Sequence, residues 1–157
     1  MNLLSDADAR QWLRLRQLRV QRARQALVQA QTEARQAHAA VEDREARIQQ
    51  GRTLIVELAW HWGGAGSADM PRWVHQVRAH GEALAERLER DEYALLDERE
   101  TLEKAEDLVR QRRTELARAQ AREDAVDATL KDQRREIQQA GEQLAELETE
   151  DAFRALH

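Results

Sequence analysis

Serine, cysteine and histidine are the residues from which a chain would build a nucleophile or a metal site, and here they are scarce and poorly spaced. There is no cysteine, which removes thiolate chemistry, disulfides and cysteine-ligated zinc together. Ser5 and Ser67 are the only serines, and no nucleophile with an accompanying base can be assembled from them. His61, His75 and His80 do not make the i, i+4 pair that puts two imidazoles on one helix face, and His38 is isolated. Gly63-Gly64-Ala65-Gly66 lacks the lysine and the preceding strand of a phosphate-binding loop. The many carboxylates fall at helical spacing among arginines, the pattern of a solvated, salt-bridging face. The expectation is a protein that is not an enzyme, with no catalytic residue, no cofactor and no metal.

What remains with chemical character is suited to gripping other proteins. Residues 10–24 carry six arginines and no acid, and Arg14, Arg16, Arg19 and Arg22 point around the helix at 100° per residue. Trp12, Leu15 and Leu18 share that segment, so apolar groups stand on several sides of it. Arginines on all sides and a net charge of −5 for the chain argue against nucleic acid, whose basic footprint is usually one stripe. A second candidate lies at the glycine cluster, where Trp60, Trp62, Met70 and Trp73 gather. Two readings are open there. Trp62 and Trp73 can close the end of a hydrophobic seam, and Trp60, off the seam line, can anchor a partner. These eleven residues are the candidate partner-binding set.

The elements that must carry them are helices. Charged residues make up 35% of the 157 and aromatics 4%, too little apolar matter for a large core. Ala, Arg, Glu, Gln and Leu dominate, and Pro71 is the single proline. Every seventh residue from Leu13 is apolar: Leu13, Val20, Leu27, Ala34, Val41, Ile48, Ile55, Trp62. A second such line runs from Val74 through Gly81, Leu88, Leu95, Leu102, Val109 and Leu116, breaks at Glu123, and resumes at Leu130, Ile137 and Leu144. These are coiled-coil seams. The fold expected is all-α, one domain over 1–157: a long antiparallel two-helix coiled-coil hairpin. Helix one covers about 6–62, capped by Ser5 with Asp8. The turn covers 63–70, with glycine supplying a left-handed cap, and helix two covers about 71–153.

Packing large residues against small ones suggests pairs whose numbers sum to 132: Leu58 with Val74, Ile48 with Leu84, Leu13 with Ala119. Gly51 then faces Gly81, giving a weak or bent point, and a polar layer forms around Arg44, Leu88, Val41 and Asp91. Residues 121–157 extend beyond the hairpin. Their apolar positions Val126, Leu130, Ile137, Leu144 and Leu147 form the candidate self-association seam, a homo-oligomer contact through 121–147. The first dozen residues hold Asp6, Asp8 and Arg10 where a secretion signal would be apolar. The longest apolar stretch, Leu54 to Trp62, is interrupted by Glu57 and too short to span a bilayer, so no membrane insertion and a cytoplasmic location are expected.

The Arg- and Leu-rich first helix (Leu13 to Leu27), the single glycine-bearing turn and the long Glu/Arg second helix resemble the stalk proteins of bacterial type III secretion and flagellar export, the YscO/FliJ type. That resemblance, in overall plan, covers nearly the whole chain. It implies a hairpin similar to the central shaft of rotary ATPases, with the end bearing both termini inside a hexameric secretion ATPase. It also implies other surfaces that meet export-gate or chaperone proteins, and a place peripheral to the inner-membrane secretion apparatus. The alternative from another class is a cytoplasmic coiled-coil scaffold or chaperone that self-associates through its C-terminal helix.

Overall fold

The computed structural model describes residues 5–156. Two helices account for nearly all of it, α1 (Asp6–Gly63) and α2 (Met70–Ala155), within a residue or two of the boundaries expected from periodicity. They pack against one another as a two-helix hairpin, with no strand among the described residues. Neither helix contains an interior proline. The threonines at 32, 53, 101 and 129 return their hydroxyls to the carbonyl four residues earlier, so each side chain finds its partner within its own helix. At the start of α1 the Ser5 hydroxyl accepts from the Asp8 amide (3.2 Å) and donates to Asp8 Oδ2 (2.6 Å), satisfying one of the amides a helix start leaves unpaired.

The turn departs from expectation. None of the described glycines has a positive φ, so no left-handed cap ends α1. The chain keeps its right-handed winding: the Gly66 amide donates to the His61 carbonyl (2.8 Å), Ser67 to Gly64 (3.1 Å), Asp69 to Gly66 (3.1 Å) and Arg72 to Asp69 (3.1 Å). Glycine is needed at 66 for space. A Cβ there would stand 2.8 Å from His61 Nε2 and 3.1 Å from the Trp62 ring. Pro71, the second residue of α2, costs no helical hydrogen bond.

Burial follows the seven-residue lines. Every member of the Leu13 line is buried or half-buried, as is every member of the Val74 line through Leu130. A companion line on α1, from Ala9 through Arg16, Ala23, Ala30, Ala37, Arg44 and Gly51 to Leu58, is covered as well. That line is made of small residues, two arginines and Leu58, so it does not stand out as an apolar repeat.

The hairpin divides into two compact units, Val28–Gln111 and Met1–Leu27 with Arg112–His157. The first holds the turn and a core of Val41, Ile48 and Leu95, flanked by Leu88 and Leu102. Its register is one heptad away from the expected one. Gly51 faces Leu88 and Gly81 faces Leu58, both pairs summing to 139, and a Cβ on either glycine would meet the leucine at 3.6 Å. The two glycines therefore do not confront each other. Each lies under a leucine, and both helices run through uninterrupted, so the expected glycine-on-glycine contact is absent.

In the second unit Ala9, Val126 and Leu130 form the buried cluster, with Trp12 and Leu13 packed on it. The expected register would have placed Leu13 at Ala119; the actual one carries α1 seven residues further along α2. Val126 and Leu130 are thus consumed inside the hairpin. The part of α2 without cover begins at 134 rather than 121, and every residue from 134 to 156 is exposed.

Candidate functional site

Three places concentrate polar or exposed apolar groups. The first is the polar layer of the Val28–Gln111 unit. Arg44 occupies a seam position on α1, where an uncompensated cation would be costly. Helix geometry supplies the compensation: Asp91 and Glu98, seven residues and two turns apart on α2, bracket it. Its Nη1 donates to Asp91 Oδ1 at 2.8 Å, and its Nη2 and Nε donate to Glu98 Oε1 at 2.9 and 3.2 Å. The three side chains are only 22%, 15% and 25% exposed. Hydrogen bonding to Glu98 first and to Asp91 second raises the Arg44 pKa above its usual value, so the guanidinium stays charged. Outer pairs Arg52–Glu92 (3.3 Å) and Arg99–Glu45 (3.2 Å) flank the layer. The expected layer exists in composition, with Glu98 rather than Leu88 and Val41 as the further member. This is the chemistry of register, not of a reaction.

The second place is the turn. Trp62 is half-buried, edge-on to His61 with ring centres 5.1 Å apart, and walled by Gly66. It closes the seam. Trp73 is 42% exposed with the Arg72 guanidinium 5.4 Å above its ring, a cation–π contact. Met70 is half-buried. Trp60 is 84% exposed, so the large apolar group that faces solvent most fully at this end is the one off the seam line.

The third place is the start of α1. Arg14, Arg19 and Arg22 are exposed, as are Leu15 at 50% and Leu18 at 43%. Two members of the expected set belong instead to the hairpin's own packing: Trp12 lies on the Ala9 cluster, and Arg16 is half-buried in the seam. Arg16 and Arg19 with Arg118 and Arg122 line a shallow depression between α1 and α2, in which Glu115 is the single carboxylate. Sequence reading missed Arg118 and Arg122 because they are separated from the α1 arginines by about a hundred residues and only the register brings them alongside.

Ion pairing is uneven along the chain. Among the described residues, ion pairs fall between His38 and Lys131, and none involves an arginine of 10–24 or a carboxylate of 136–151. No three His, Asp or Glu side chains gather as a metal site requires, and no helix is long and apolar enough to cross a membrane, again among the described residues. Comparison with family models, with curated proteins and with solved structures finds no match, so what the chain does must be argued from these surfaces.

Proposed function

We propose that this chain is a non-enzymatic central-stalk component of a type III secretion export apparatus, contacting a hexameric secretion ATPase and coupling it to export-gate or chaperone proteins. The observation that carries the reading is the start of α1: an exposed, acid-free run of arginines interspersed with exposed Leu15 and Leu18, on a hairpin of two uninterrupted helices. One asymmetric helical element inside a six-fold ring meets several subunits, and a surface that sets exposed arginines around an exposed Leu15–Leu18 face suits that position. Arginine is also the side chain best fitted to hold carboxylates there. In this reading the hairpin biases the ring subunits into different conformations and hydrolyses nothing itself.

Adding the protein to its ATPase should raise the hydrolysis rate severalfold, and reversing Arg14, Arg19 and Arg22 to Glu should remove the increase. An ATPase rate indifferent to the protein ends this reading. A second reading, a self-associating scaffold, draws on the exposed Ile137, Leu144 and Leu147 of the α2 extension.

A further inference from the structure

The extension of α2 past residue 133 is an acidic helix. Between Glu136 and Asp151 it carries six carboxylates and no Lys or Arg, and its Ile137, Leu144 and Leu147 are 52%, 60% and 57% exposed along one side. The start of α1 is its electrostatic complement, with six arginines and no acid in 10–24 and exposed leucines at 15 and 18. Among the described residues neither run finds an ion pair within its own chain, although ion pairs recur between them along the helices.

We infer that the acidic extension of one molecule docks on the arginine-bearing start of α1 in a second copy, and reciprocally, so that the chain forms a two-fold symmetric dimer. The partner is another copy of this chain rather than a second extension, because two extensions laid together would oppose six carboxylates to six. Like-charge juxtaposition of that kind is strongly disfavoured.

The lengths agree. The seam register sets residue 133 level with Asp6. When two copies meet at the starts of their α1 helices, the extension of one, at 1.5 Å per residue, runs parallel to α1 of the other, and 136–151 falls level with residues of about 9–24. The acidic run therefore spans the basic run from end to end. Leu144 falls between Leu15 and Leu18. Glu142, Glu146 and Glu148 come level with the depression lined by Arg16, Arg19, Arg118 and Arg122. A third helix laid in the groove between α1 and α2 completes a three-helix section, and the two-fold axis repeats every contact.

The inference is independent of the stalk reading, though the dimer covers the same arginines that an ATPase would need. The test uses the full chain and two variants, one with Arg14, Arg19 and Arg22 changed to Glu, the other with Glu142, Glu146 and Glu150 changed to Arg. Mass is measured by sedimentation and light scattering, with circular dichroism confirming that each variant remains helical.

The wild type is expected to be a dimer at about 100 µM in about 50 mM salt and to weaken at least tenfold at about 500 mM, where the Debye length falls below 5 Å. Each variant alone is expected to be monomeric. An equimolar mixture of the two restores dimer, because each then presents the charge the other lacks. A wild type that stays monomeric at low salt overturns the inference, as does a dimer that survives in both single variants or a mixture that fails to associate. The mixture keeps the test decisive, since a merely damaged variant could not be rescued by another.

Discussion

Two glycines in the middle of long helices each cost helix propensity, and at Gly51 the surroundings leave room for a side chain to recover it. Its missing side chain leaves a small hollow lined by Leu84, Leu88 and Leu54, and a Cβ there would meet Leu88 at an ordinary 3.6 Å. The backbone is already helical, with no positive φ. Gly51→Ala should therefore stabilise the hairpin by about 1 kcal/mol, the helix-propensity difference. Thermal unfolding is the measurement, and a fall in the midpoint would show that the hollow is needed. Gly66 is the opposite case, since its Cβ would enter the His61 and Trp62 rings. Spacing cannot tell these glycines apart, because the difference lies in what the opposite helix or the turn brings near. Arg44 is similar: in sequence it is one arginine among many, and only Asp91 and Glu98 make it a seam residue.

At the scale of the helices, existence, length and pairing were legible from the heptad lines and the glycine cluster. The register was not, and the reason is periodicity itself. When both helices repeat apolar residues every seven, a slide of seven returns nearly the same contacts, so large-against-small packing alone separates the alternatives weakly. What breaks the degeneracy is polar: Arg44 between Asp91 and Glu98, with Glu45 reaching Arg99.

The chain contains no cysteine, which makes the register directly measurable. Glu45→Cys with Arg99→Cys should join through a short thiol crosslinker at least about ten times faster than Glu45→Cys with Glu92→Cys, since seven residues displace a side chain by about 10.5 Å. Equal rates would mean that the two registers exchange. The seven-residue shift accounts for the reassignment of Val126 and Leu130 from a surface to a core, and for part of the later start of the extension.

Across the whole molecule, ion pairs among the described residues lie between residues 38 and 131, and neither the arginines of 10–24 nor the carboxylates of 136–151 take part in one. That partition was partly visible in the sequence, as a basic start and an acidic end. Their complementarity between copies became apparent only once the register fixed where the extension begins. The connection between α1 and α2 has a consequence for the order in which the chain folds. Leu58 and Gly81 close a loop of about 20 residues, whereas Ala9 and Leu130 close one of about 120, a difference of about 1.5 kcal/mol in closure entropy. The hairpin should zip from its glycine-bearing turn, with the Ala9 cluster joining last. Leu58→Ala should then slow folding, while Leu130→Ala should chiefly speed unfolding, and a higher φ-value at Leu130 than at Leu58 would reverse that order. The segment that carries the arginines would accordingly be the last to take shape and the first to come apart.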